Sequence, residues 1–221
     1  MNWFRVENEK RNQPQIGDYP DWKDQIAEDC SNQCVYCCIH ESAFGGIDNF
    51  HVEHFRPKSK FPELRKRIAN LYYSCPICNR FKSDDWPGEP CDKFLVAAYV
   101  DPGEHDFSDL IQNSEAFRLR SIHRSATYFI ERLYLNRPQL IRRRREHSLA
   151  TRFRRLNEYF QTIVDQLMDD ETVEGRALAK EVFQVVLNAN LAKSEVDDGV
   201  PYQRDEVRRR EPLRNQKKKK K

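Results

Sequence analysis

The sequence predicts an α+β protein that is mostly helical, with a small cysteine-rich core followed by a larger helical C-terminal part. Two Cys-x-x-Cys pairs, Cys34–Cys37 and Cys75–Cys78, frame a segment with little helical periodicity. From residue 124 to residue 192, apolar residues recur every three to four positions, which is the spacing of amphipathic helices. The apolar run 94–100 between these parts is typical of a strand.

These patterns divide the chain into four parts. An N-terminal extension covers 1–29 and is expected to become helical near Trp22–Cys30. The cysteine-rich core covers 30–90, and a mostly helical domain covers 91–193. Residues 194–221 lose the periodicity and end in five lysines, so we predict a basic, flexible tail.

Two long amphipathic helices are expected in the helical domain, over Ser148–Met168 and Val173–Ala192. Their apolar residues fall on one stripe of each helix, and such a stripe normally faces a core. The residues predicted to face inward are Leu149, Phe153, Leu156, Phe160, Ile163, Val164 and Leu167 in the first helix and Leu178, Val182, Val185 and Val186 in the second.

Composition and charge exclude several classes of protein. The longest apolar run, Phe94–Val100, is far shorter than the ~20 residues of a membrane helix. The N-terminus has no apolar segment of a secretory signal, so a cytoplasmic protein without a membrane span is expected. Residues 204–221 hold ten basic and three acidic residues, which leaves a net charge of −4 on 1–203 out of the total of +3. A nucleic-acid site must therefore be local.

The two Cys-x-x-Cys pairs predict a structural zinc site. In a reducing compartment such pairs bind metal more often than they form disulfides. Two thiolates on each of two tight turns complete a tetrahedron around Zn²⁺. Cys30, Cys38 and His40 lie near the first pair, but only Cys34 and Cys37 have the required spacing. We expect Cys38 to be a packed free thiol and Cys91 to have no partner.

Between the two pairs lie groups suited to metal binding and proton transfer. The stretch His51–Lys58 (HVEHFRPK) predicts a short strand with His51 and Glu53 on one face and His54 on the other. Glu53 and Asn79 offer oxygen ligands for Mg²⁺ or Mn²⁺. His54 suits a general base, because a reference pKa near ~6.5 leaves it largely neutral at pH 7.

The order of these residues resembles the motif of the HNH endonucleases, which have the ββα-metal fold, and specifically their zinc-knuckle subgroup. The residues that carry the resemblance are Glu53-His54, Asn70-Leu71, Cys75-Pro76-Ile77-Cys78-Asn79 and Lys82. Many members of the family have Asp in place of Glu53 and His in place of Asn79.

The resemblance implies a metal-dependent endonuclease that hydrolyses phosphodiester bonds of nucleic acid. It implies that Glu53 and Asn79 bind a catalytic Mg²⁺ or Mn²⁺, that His54 is the base, and that Asn70 braces the loop orienting this base. His51 is left with three interpretations: a third metal ligand, a phosphate contact or a strand residue only.

Further charged residues surround this motif. Arg56, Lys58 and Lys82 are predicted to face the phosphate backbone, because they flank the expected phosphate site. The alternative for each of them is a solvated surface charge.

The wider pattern is similar to one branch of the family, the PtuB nucleases of Septu anti-phage systems and the related retron-associated nucleases. It includes HVEHFRPKS, NLYYSCPICNRFKSD and Leu135–Pro138. This branch implies a PtuA-like partner ATPase of the ABC or SMC type and, in retrons, a reverse transcriptase with its RNA–DNA product. Two alternatives remain: a zinc-knuckle binding module without catalysis and a stand-alone restriction or repair nuclease.

Overall fold

The computed structural model describes residues 3–89, 94–168 and 172–197. These residues fall into two units, one reaching Arg142 and the other beginning at Arg143. In the first unit, the N-terminal extension, the cysteine-rich segment and the chain up to Leu140 share one hydrophobic core. The boundaries predicted after residues 29 and 90 therefore lie inside one packed unit.

The centre of the first unit is an antiparallel hairpin followed by a helix. Strand β1 (His51–His54) pairs with β2 (Leu71–Ser74), with Glu53 opposite Tyr72. Helix α2 (Pro76–Lys82) follows directly and has a proline at its first position, where a missing N–H costs no hydrogen bond. This ββα arrangement confirms the predicted α+β class.

Strand β2 is buried over its whole length, because its two tyrosines find partners inside the core. The Tyr72 hydroxyl donates to Asp101 and the Tyr73 hydroxyl donates to Glu41, each at 2.5 Å. Phe50 stacks on Tyr73 with 4.7 Å between the ring centroids. Buried tyrosines need such partners for their hydroxyl groups, and these contacts fix the strand that leads into α2.

The N-terminal extension braces the same hairpin. The helix expected near Trp22–Cys30 is present as α1 (Lys23–Asp29). Upstream of it, the buried guanidinium of Arg11 donates to the carbonyl oxygens of Ile68 (2.7 Å) and Leu71 (2.9 Å). These two bonds hold the entry to β2.

The apolar run 94–100 is not a strand, which corrects the prediction. Its last residues are buried, but no strand of the described chain pairs with them. A strand needs a backbone partner as well as apolar side chains. The second hairpin lies further along the chain, where β3 (Gln112–Asn113) pairs with β4 (Leu119–Arg120).

Three helices complete the described chain: α3 (Arg124–Arg132), α4 (Pro138–Met168) and α5 (Val173–Asp197). Helix α4 begins ten residues before the predicted start. Helix α5 continues beyond its predicted end and includes the first residues of the predicted tail, of which 198–221 lie outside the described residues, as does Cys91. None of the described helices is long and apolar enough to span a membrane.

The predicted inward stripes of α4 and α5 are only partly buried. Val164 and Val186 are buried, which agrees with the prediction. Periodicity places apolar residues on one face, but it does not reveal whether another element covers that face. The residues predicted to face inward that are in fact exposed are Leu149, Leu156, Leu178 and Val185.

Candidate functional site

The four paired cysteines meet at one buried point. Their sulfur atoms all lie within 4.8 Å of one another, and Cys37 Sγ is 3.7 Å from Cys75 Sγ. A tetrahedron with Zn–S distances of ~2.3 Å places its sulfur atoms about 3.8 Å apart, so the cluster fits a zinc ion. The Cys-x-x-Cys spacing selects this same set. It consists of Cys34, Cys37, Cys75 and Cys78.

Two tight turns position these sulfur atoms. In the first turn, the Cys38 N–H donates to the Cys34 carbonyl oxygen (2.8 Å). The residue after Cys34 donates its N–H to the Tyr73 carbonyl oxygen (3.0 Å), which joins this turn to β2. In the second turn, the Cys75 sulfur accepts from the Cys78 N–H at the start of α2.

The protonation of the cluster depends on the metal. Burial raises the pKa of Cys34, Cys37 and Cys78, whereas hydrogen bonds from these three thiols lower the pKa of Cys75. Zinc binds thiolates, so loading the site releases protons.

Two other cysteines near the cluster remain outside it. Cys30 and Cys38 are free and buried, and burial raises the pKa of each to about 12. Both are therefore protonated at neutral pH. The expectation of a packed free thiol at Cys38 is confirmed.

A cavity of about 430 Å³ opens between β1, the chain after it and α2. It brings together Glu53, His54 and Asn79, the three residues predicted to perform the chemistry. Its remaining lining comes from β1 itself and from the chain segments that follow β1 and α2. These residues are Val52, Pro57, Lys58, Ser59, Ser83 and Asp84.

His54 is held in the neutral form with one nitrogen engaged. Its Nε2 lies 3.0 Å from the Arg65 carbonyl oxygen, an acceptor only, so Nε2 carries the hydrogen and Nδ1 keeps its lone pair. Burial lowers the pKa of His54 to about 4, and the cations Lys58 and Lys82 act in the same direction. Tyr19 packs edge-on against the ring, with 4.7 Å between centroids. The imidazole is thus ready to accept a proton through Nδ1.

Lys82 does not face the solvent, which corrects the prediction that it contacts phosphate. Its side chain is fully buried, and its Nζ lies 2.7 Å from Glu53 Oε1 and 2.9 Å from the His54 carbonyl oxygen. Tyr36 also donates to Glu53 Oε1, at 3.4 Å. Burial raises the pKa of Glu53, while Lys82 and Tyr36 act to lower it. Lys82 therefore holds the Glu53 carboxylate and the β1 backbone at His54 from the interior of the protein.

Asn70 does not line the cavity, but its side chain braces the loop between β1 and β2. Its Oδ1 accepts from the Arg56 N–H (2.7 Å). Its Nδ2 donates to the carbonyl oxygens of Arg56 (3.1 Å) and Leu64 (3.3 Å). This loop also carries Arg65, whose carbonyl oxygen accepts from His54, so the hydrogen bonds of Asn70 and of His54 converge on the same loop.

Of three other predicted residues, Lys58 lines the cavity, whereas His51 and Arg56 do not. His51 is exposed opposite Ser74 and does not line the cavity, so it is not placed to be a third metal ligand. Arg56 forms a double hydrogen bond with Glu89 at 2.8 and 2.9 Å. Lys58 does line the cavity, and its Nζ donates to the Tyr19 hydroxyl (2.8 Å).

Two residues of this site were missed in the sequence. Tyr19 lies in the N-terminal extension, and no local pattern connects it with His54. Its ring lies under the cations of Lys58 (4.9 Å) and Arg65 (5.1 Å). Asp84 lines the cavity two residues after Lys82. Its position just after the motif was the sequence feature that could have predicted its place in the site.

Comparison with protein families identifies the segment that carries this site. Residues 34–85 match the HNH endonuclease family model, which covers about a quarter of the 221 residues. The match includes both cysteine pairs and the ββα element. The chain therefore contains an HNH endonuclease domain with a four-cysteine cluster, which supports nuclease activity on nucleic acid. A search of curated proteins finds none that matches.

Removing the charge of Lys82 should destabilise the first unit. Lys82→Met leaves the buried carboxylate of Glu53 without its partner, which costs about 3–5 kcal/mol in such pairs. The double variant Glu53→Gln, Lys82→Met removes both charges and should recover much of this loss. Urea unfolding of the zinc-loaded proteins measures both values. Equal stability of the single and double variants would contradict a pairing role.

His54 should titrate well below an ordinary imidazole. Its folded pKa of about 4 lies below the unfolded value near ~6.5, so the ring stays neutral as the pH falls from 7 to 5 and gains a proton only near 4. Between these two values the unfolded state binds one more proton than the folded state. The free energy of unfolding therefore decreases as the pH is lowered from about 6.5 to about 4. Side-chain NMR of the imidazole, assigned with His54→Ala, measures the midpoint. A midpoint near 6.5 would show that the ring is not buried as described.

Proposed function

We propose that this protein is a metal-dependent HNH endonuclease that hydrolyses phosphodiester bonds in nucleic acid. The observation that supports this function best is the cavity, in which Glu53, His54 and Asn79 meet above a buried lysine. A binding module without catalysis has no need for a neutral, hydrogen-bonded imidazole beside a carboxylate.

His54 acts as the general base. Its Nδ1 accepts a proton from a water molecule while the water oxygen bonds to phosphorus. The bond between phosphorus and the sugar oxygen breaks, and this leaving oxygen takes a proton from solvent. The Arg65 carbonyl holds the ring, and the imidazolium formed in the step keeps this hydrogen bond.

Glu53 and Asn79 would hold the catalytic Mg²⁺ or Mn²⁺. Both offer oxygen donors to one cavity, and these hard cations prefer oxygen. Among the described contacts, Lys82 and Tyr36 engage Oε1 of Glu53, which leaves Oε2 available to a cation. When bound, the ion neutralises charge on the phosphate and stabilises the leaving oxygen.

Lys58 is the cation best placed to contact a substrate phosphate. It is exposed and lines the cavity. Arg56 would first have to leave Glu89, so its contribution to phosphate binding is expected to be smaller. The site addresses a single phosphate, and its chemistry accommodates DNA and RNA equally.

The protein acts, in this proposal, as the effector of an anti-phage complex with a PtuA-like ATPase. The similarity to the branch of Septu and retron-associated nucleases supports this role. The exposed apolar side chains of α4 and α5 offer a surface for a protein partner.

Cleavage should require His54 but not His51. We expect His54→Ala to lose activity at least about 100-fold on plasmid DNA, single-stranded DNA or bulk tRNA with Mg²⁺ or Mn²⁺, because the base is removed. His51→Ala is the matched control on the same strand and should retain activity within a few-fold. The proteins are assayed alone and together with any co-purifying ATPase. Equal activity of the His54→Ala variant, or binding without metal-dependent cutting under both conditions, would reject the enzyme.

The partner should control this activity. We expect the nuclease to co-elute with its ATPase in size-exclusion chromatography and the complex to cut substrates that the free chain leaves intact. Leu156→Glu, a charge on the exposed face of α4, should weaken co-elution without lowering zinc content. Full activity of the free chain and no co-elution would favour a nuclease that works alone.

A further inference from the structure

Arg137 is a buried arginine beside the cysteine cluster. It lies in the turn between α3 and α4, and its own carbonyl oxygen accepts from the Leu140 N–H (3.0 Å) at the start of α4. Its Nη1 donates to the carbonyl oxygens of Leu133 (3.1 Å) and Tyr134 (3.4 Å). Its Nη2 points to Cys78 Sγ at 3.6 Å.

No carboxylate balances this charge within residues 3–89, 94–168 and 172–197. The ion pairs of these residues do not include Arg137. A guanidinium stays charged in proteins, and a buried charge without a counter-ion is strongly destabilising. The group beside it is the four-cysteine cluster, which becomes anionic when it holds Zn²⁺, because zinc binds cysteines as thiolates.

We propose that Arg137 is the outer partner of a zinc–thiolate centre, where it neutralises part of the cluster charge and holds Cys78 as a ligand. Four thiolates around Zn²⁺ carry a net charge of about −2, which one guanidinium reduces by half. An N–H bond to a ligating sulfur makes that sulfur a poorer base. Protons and chelators should then displace the zinc more slowly.

The proposal gives a function to the segment Leu-Asn-Arg-Pro, which the sequence motif left without one. Leu135 is buried in the core, and Asn136 bonds both the N–H (2.7 Å) and the carbonyl oxygen (2.9 Å) of Leu119. Pro138 begins α4. Arg137 is thus held between a hairpin, a helix start and the cysteine cluster, and it links the start of the helical part to the metal.

The test is the rate of zinc loss from the full-length protein. Excess EDTA is added, and the remaining protein-bound zinc is measured with a metallochromic dye after removal of the chelate. We expect Arg137→Met to lose zinc at least tenfold faster than the wild type, and Arg137→Lys to fall between the two. Arg118→Met, an exposed arginine of the same unit, is the control and should stay within twofold. Equal rates for the wild type and a folded Arg137→Met would overturn the proposal.

A second measurement uses the wild type, so that it does not depend on the folding of a variant. In protein loaded with ¹¹³Cd in place of zinc, a hydrogen bond from Arg137 to a ligating sulfur transmits a scalar coupling between the guanidinium proton and the metal. We expect this coupling at Arg137 and at no other arginine side chain. An assigned Arg137 guanidinium resonance without coupling, or a protein that binds no metal at the four cysteines, would reject the role.

Discussion

The ββα element depends on four buried sulfur atoms that meet at one point. One pair precedes β1 and the other leads into α2, so both ends of the hairpin are fixed at the same point. Two strands of four residues do not hold together alone in water. A metal bound by both turns stabilises the closed form, because it binds the folded chain far better than the open one. The meeting of His54 and Asn79 in one cavity depends on this closure.

Beneath the cavity, a second constraint fixes the orientation of the acidic group. The Lys82 cation joins Glu53 on one side and lies 5.3 Å from the centroid of the Tyr99 ring on the other. The Tyr99 hydroxyl donates to Asp85 (2.9 Å), which also accepts from Arg132 on α3 (2.9 Å). A buried ion pair adds little net stability, because desolvation offsets the attraction. Its value here lies in selecting which oxygen of Glu53 remains open to the cavity.

The features that could be predicted from the sequence are those that depend on local spacing. Two-residue spacing selected the cysteines, and the order of motif residues placed the ββα element. The environment of charged residues was not predictable, because it depends on contacts from distant segments. Lys82 is buried by chain that follows it, and His54 touches Tyr19 from 35 positions upstream. The apolar run 94–100 predicted a strand, yet burial alone does not supply a backbone partner.

The electrostatics of the cavity bear on the proposed role of His54 as a base. Burial and nearby cations hold the pKa of His54 near about 4, so the free protein keeps the ring unprotonated but only weakly basic. Lys58, one of these cations, is also exposed at the cavity, where we propose that it contacts phosphate. A bound phosphodiester brings negative charge beside the imidazole, and a nearby negative charge favours its protonated form. In the proposed reaction, a bound substrate would therefore raise the pKa of His54 and make it a stronger base when it accepts the proton.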